Sequence, residues 1–191
     1  MRKIFLDIET RNTFQEVGKA DPVMLDISVV CIYDSETEQY SSYLQEDLPK
    51  LWPVIEKADM IITFNGDHFD IPLLNKYYNG DLTKIKSLDI LKEIKNKLGH
   101  RVGLALVAQG TLGTSKSGHG LEAIEWWKKG ELDKIIKYCI DDVKITKDIY
   151  DFAMKYKKLK FKDGLEIREI PLNTTDWEKK SEVKMTFSLP F

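Results

Sequence analysis

Lys3-Ile4-Phe5-Leu6-Asp7-Ile8, followed directly by Glu9, is the stretch on which the reading of the fold turns. It is rich in strand formers, so it reads as an opening β-strand. Residues two apart on a strand face the same way, which places the carboxylates of Asp7 and Glu9 side by side where the strand gives way to loop. Two like charges held that close repel unless a cation sits between them. Taken alone, the pair is also what a polar strand end looks like.

Working outward, Ile27 to Tyr33 and Gln39 to Leu44 are strand-like, and Asp34-Ser35-Glu36-Thr37-Glu38 between them reads as the turn of a hairpin. Leu48, Leu51, Trp52 and Ile55 recur at helical spacing. Met60-Ile61-Ile62-Thr63-Phe64 then forms a short apolar run stopped by Asn65-Gly66, the pattern of a buried strand. Residues 70 to 80 look helical, Ile85 to Leu91 suggests a fifth strand running into a helix, and Leu104 to Ala108 lies in another short helix. From Leu121 to about Lys158 the pattern stays helical, with a break at Lys129-Gly130. In its second part Ile135, Ile136, Cys139, Ile140, Val143, Ile149 and Phe152 form a stripe of 3.6-residue period that must face a core. This order of elements predicts an α/β layer fold with a mixed sheet flanked by helices. Residues 1–158 are expected to form that domain. Residues 159–191 change character, with strand-like pieces at Leu165 to Ile170 and Val183 to Phe187, and are expected to be a short C-terminal β extension packed on the same domain or a partner-binding tail.

Composition narrows the class. The chain has 191 residues, 31% charged and 42% hydrophobic, which is the balance of a folded single domain able to hold a core without disulfide or metal staples. With 29 basic against 31 acidic residues the net charge is -2, which excludes a general polycation, so any contact with phosphate must be local. The two cysteines, Cys31 and Cys139, form neither a zinc motif nor a disulfide framework, and a reducing cytoplasm fits them. Asp7 and Glu9 interrupt the opening apolar run too early for a signal peptide, and no run approaches the ~18 apolar residues of a membrane span.

Two further elements carry chemistry. Asn65-Gly66-Asp67-His68-Phe69-Asp70 lies between the buried strand and Ile71-Pro72-Leu73-Leu74. Asp70 could be a helix cap and Asn65-Gly66 an ordinary tight turn, yet a carboxylate at the C-terminal end of a buried strand lies where open α/β sheets bind ligands. In Tyr138-Cys139-Ile140-Asp141-Asp142, Tyr138 and Asp142 stand four apart and share a helix face. Asp141 is the rival carboxylate and is expected to be the more solvated.

Taken in order, Asp7-Ile8-Glu9, Asn65 through Phe69-Asp70, and Tyr138 through Asp142 resemble the three motifs of the DEDD superfamily of 3'-5' exonucleases, Tyr subtype. The His subtype would have histidine five before the last aspartate, where this chain has Lys137. The resemblance spans roughly residues 1 to 155 and is closest to stand-alone exonucleases of bacteria and archaea related to DNA polymerase proofreading domains. It implies an RNase H-like fold whose motifs meet in one cleft. It further implies that Asp7 bridges two cations, that Glu9 and Asp142 share the first, and that Asp70 reaches the second through water. Tyr138 would orient the attacking water, and in the family's motif the position of Phe69 adjoins the terminal nucleotide; Phe69 itself reads as packing under the site, Asn65 as a substrate contact, and His68 as a substrate contact or a solvated loop histidine.

The chemistry of the residue types agrees. Four carboxylates without His or Cys ligands suit hard cations, Mg2+ or Mn2+, and two such ions about 3.5–4 Å apart can promote in-line hydrolysis of a phosphodiester. Tyr138, with an ordinary pKa near 10, is a poor general base at neutral pH. The glycine-rich stretch Gly110 to Gly120 is no P-loop; it is either a connecting loop or a phosphate contact through Lys116. Trp126 or Trp127 is expected in the core, and Tyr77 and Tyr78 as core and surface. The basic run Lys155, Lys157, Lys158, Lys160 and Lys162 reads as a solvated helix end or a track for a nucleic-acid backbone. The expected activity is metal-dependent release of nucleoside 5'-monophosphates from single-stranded DNA or RNA 3' ends. The alternative is a non-catalytic nucleic-acid-binding module, or one that docks on a helicase or polymerase through its tail.

Overall fold

A computed structural model describes residues 1–114 and 120–179. The predicted strands form one mixed sheet: β1 (Lys3–Thr10), β2 (Ile27–Asp34), β3 (Gln39–Leu44), β4 (Met60–Thr63) and β5 (Ser87–Asp89), in the order β3-β2-β1-β4-β5. β2 runs antiparallel to both β1 and β3, while β1, β4 and β5 are mutually parallel. The strand bearing Asp7 and Glu9 is therefore central, flanked by chain on both sides.

Period-two alternation divides the core between the two faces of the sheet. Ile4, Leu6 and Ile8 enter one layer, with Leu48, Leu51 and Ile55 of α2 (Leu48–Ile55) and Ile71, Leu73 and Leu74 of α3 (Asp70–Asn75). Phe5 enters the other, with Val29 and Cys31 of β2 and the face of α7 (Leu132–Tyr156) carrying Ile135, Tyr138, Cys139 and Val143. Asp7 and Glu9 continue the Phe5 face, so the sequence aims both acids at α7.

The remaining helices are α1 (Phe14–Val17), α4 (Ile90–Leu98), α5 (Leu104–Leu112) and α6 (Gly120–Lys128). As expected, the helical region breaks at Lys129-Gly130, where Gly130 adopts a left-handed conformation. A capping box between Thr13 and Glu16 starts α1. Asp89 ends β5 and caps α4 through the Leu91 and Lys92 N–H groups.

Three local expectations change. The helix expected over 70–80 stops at Asn75, whose side chain accepts the Leu82 N–H and holds a loop instead. The strand expected from Ile85 is only three residues long because Asp89 turns it into α4. The helix expected to reach Lys158 ends at Tyr156, and Lys157, in a left-handed conformation, turns the chain into β6 (Lys158–Asp163). Lys158, Lys160 and Lys162 therefore alternate with Leu159 and Phe161, both buried, rather than lining a helix end. Lysine is depleted in strands, and two apolar residues are a weak alternation signal, which is why the pattern is hard to see.

β6 pairs antiparallel with β7 (Glu166–Pro171) as a separate two-stranded sheet packed against α5. The contact is close because position 110 is glycine: a Cβ there would lie 2.4 Å from the Phe161 Cα. Thr111 completes the join, its hydroxyl donating to the Lys160 carbonyl and accepting the Lys160 N–H. Beyond β7, Leu172 and Trp177 are buried in the same core as Phe5. Trp177 stacks on Tyr150, and Glu178 accepts from Tyr150 and pairs with Lys3. The strand-like piece Val183 to Phe187 lies outside the described residues.

Candidate active site

Three acids from two distant segments meet at the C-terminal end of β1. Asp7, Glu9 and Asp142 each offer a carboxylate oxygen within 4.8 Å of the other two. Asp7 is half-buried, while Glu9 and Asp142 are 9% and 3% exposed. The β-bulge between Glu9 and Thr10, where the pairing with β2 slips, is the kind of irregularity that re-aims a strand end. Asp142 comes from the buried face of α7, one turn after Tyr138, and the neighbouring Asp141 is more exposed, as expected. Cys139 from the same face shares its single S–H proton between two oxygens of Asp7, the main-chain oxygen at 3.4 Å and Oδ2 at 3.6 Å.

A third segment, the second of the sequence motifs, is a turn built to special requirements. Asn65 has φ of +80°, and Gly66 turns back so tightly that a Cβ would strike the Thr63 side chain at 2.3 Å. Asp89 accepts the N–H groups of Asn65 and Asp67, and Arg101 donates to the Asn65 side-chain oxygen. This turn delivers Asp70 as the first residue of α3, with no side-chain capping bond at the helix start. Asp70 is 4% exposed and outside the three-acid cluster, but its neighbours reveal its position. Burial pushes its carboxyl pKa up to about 7, opposed by N–H groups of Asp70 itself and Ile8 and assisted by the charges of Asp89 and Asp142. Asp70 therefore lies within reach of the Asp142 charge and of the Ile8 N–H, the residue that separates Asp7 from Glu9 in the sequence.

α6 closes over the loop that follows β1. Trp126 meets the Tyr138 ring edge-on at 5.8 Å, Trp127 stacks under the Arg11 guanidinium at 4.4 Å, and Lys128 pairs with Glu16 of α1 at 2.6 Å. Both tryptophans are half-buried, and Tyr138 is 3% exposed. His68 is exposed on the second turn; Phe69 is half-buried with its ring against Phe14 at 6.2 Å, and Phe14 is itself exposed. Tyr77 donates its hydroxyl to Asp26 and Tyr78 to Glu56. Lys116 lies outside the described residues. Asp89, Arg101 and Cys139 were not singled out from sequence for these roles; only Asp89, an acid opening a helical stretch, carried a local signal.

A closely spaced set of hard oxygen donors fits a hard divalent cation, and it concentrates negative charge that such a cation would offset. The protein-family model described as the RNase H superfamily matches residues 4–154. The chain belongs to the RNase H superfamily. The superfamily's mixed sheet with flanking helices is the α/β architecture expected from sequence. Comparison with curated proteins gave no match. Among solved structures, a family B DNA polymerase from the hyperthermophilic archaeon Pyrobaculum calidifontis is similar, with a TM-score of 0.62 at 16% identity. The similarity covers 81% of this RNase H superfamily chain and 24% of the polymerase, so the present chain corresponds to a minor part of that protein's length. No described helix is long and apolar enough to cross a membrane.

Proposed function

We propose that the protein is a metal-dependent 3'-5' exonuclease of the DEDD type, Tyr subtype, hydrolysing phosphodiester bonds at single-stranded DNA or RNA 3' ends to release nucleoside 5'-monophosphates. The observation that carries the reading is the meeting of Asp7, Glu9 and Asp142 within 4.8 Å. Superfamily membership and the fold shared with part of a DNA polymerase support a nuclease acting on nucleic acid.

Asp7, Glu9 and Asp142 would hold the first cation, and Asp7 with Asp70 a second. When bound, two such cations supply charge neutralisation of the scissile phosphate and activation of water. The chain's own contribution is position. The central strand fixes Asp7 and Glu9, α7 fixes Asp142, and the second turn fixes Asp70. Tyr138, held by the Trp126 ring, orients the attacking water as a hydrogen-bond partner. Phe69 and Phe14 offer aromatic surface for a terminal base, worth roughly 1–3 kcal/mol per stacked base. His68, Asn65 and Lys116 are the proposed polar contacts to the substrate strand.

The test is degradation of 5'-labelled single-stranded DNA and RNA with Mg2+ or Mn2+. A ladder shortening from the 3' end, lost in Asp7→Ala by at least about a thousandfold, is the expected result. Cuts within circular substrate would make the protein an endonuclease. Binding without cleavage would favour the non-catalytic module.

A further inference from the structure

We infer that Cys139 is a positioning residue that fixes the Asp7 carboxylate for cation binding. The inference deepens the metal-site reading and rests on it. Asp7 projects from β1 into the layer between sheet and α7, where Phe5, Val29, Cys31, Ile135 and Val143 are all buried. A carboxylate at the edge of such a layer needs a donor to hold one rotamer. Cys139 supplies one from α7, spanning the main-chain oxygen and Oδ2 of the same aspartate at 3.4 and 3.6 Å. That fork ties the side chain of Asp7 to its own backbone. It also ties the strand that carries Asp7 to the helix that carries Asp142, three residues after Cys139.

Cys139 is in turn held in place. It is fully buried, and Cys31, directly opposite Asp7 in the β1–β2 register, lies against it. Cys31 sends its own thiol toward the Ile136 carbonyl at 3.8 Å, one turn earlier on α7. A thiol suits the position because it packs as a small apolar group and donates weakly, so it orients the carboxylate without competing strongly for its charge. A stronger cationic donor would orient Asp7 equally well but would oppose the cation.

Two measurements, neither requiring turnover, test this. The first is Mn2+ affinity by calorimetry on the full chain. Cys139→Ala is expected to bind Mn2+ about tenfold more weakly, with Cys139→Ser recovering to within about threefold of the parent because the hydroxyl restores a donor. The second leaves Cys139 in place: with Cys31→Ala removing the other thiol, the remaining infrared S–H stretching band should move on Asp7→Asn and again when Mn2+ is loaded. Unchanged Mn2+ affinity in Cys139→Ala, or an S–H band indifferent to Asp7→Asn, overturns the inference. If the parent binds no Mn2+, the metal reading itself fails, and the inference with it; if the chain binds Mn2+ but cleaves nothing, the activity fails while Cys139 keeps its role.

Discussion

Asp70 shows how a single residue can act against the metal-free fold. Its carboxyl, pushed up to about 7 by burial and by neighbouring acids, holds a proton in the folded chain over a range where the unfolded chain has lost it. A raised acid pKa means that the native state binds more protons, so stability falls as pH rises from the ordinary aspartate value through neutrality and then levels off. In the presence of a chelator, Asp70→Asn should therefore melt higher than the parent at about pH 8, by an amount worth a few kcal/mol, and close to it at about pH 4. Thermal melts at the two pH values check this, and an Asn variant that is less stable at the higher pH would contradict it. Residues of this kind were legible in sequence only as candidates. Asp7 and Glu9 follow from a period of two, and Asp142 was separable from Asp141 because the apolar stripe of α7 fixes which face is buried. Cys139 was seen merely as a stripe residue, since its partner Asp7 stands 132 positions away.

At the scale of elements, the β6–β7 hairpin depends on one missing side chain. Gly110 lets the Phe161 backbone lie against α5, and no rotamer change can relieve a Cβ there, because the atoms it would meet are main chain. Gly110→Ala should force α5 and β6 apart at a cost of about 1–3 kcal/mol, lowering the melting temperature by roughly 3–10 °C. A melting curve superimposable on the parent would show that the two elements are not in such close contact. The sequence displayed the glycine but not its reason, because the reason is a strand fifty residues later that itself read as the end of a helix. By contrast, β3 matched its predicted span residue for residue: a hairpin with a turn of polar residues is a local event, and local patterning suffices to read it.

Across the whole molecule, residues 172–179 run back over the start of β1. Trp177, 4% exposed, stacks on Tyr150 and donates to Glu93, while Glu178 reaches Lys3 across 175 positions. Trp177→Ala should cost about 3–5 kcal/mol, read as a lower denaturation midpoint, and Glu178→Gln much less, because its ion pair is partly exposed. Equal losses for the two would shift the weight from packing to charge. Alternation and helical stripes predicted the sheet and its flanking helices, but not this return path, which is short, irregular and held by Leu172, Trp177 and the Glu178 contacts rather than by a repeating pattern.

The central place of β1 has a consequence for how the protein comes into being. β1 carries two of the three clustered acids, and Asp142 joins them only where α7 packs against the sheet. A growing chain that has not yet added α7 thus holds only two of the three clustered acids. Under the exonuclease reading proposed above, a chain ending before α7 would therefore lack one of the three clustered carboxylates and a competent metal site.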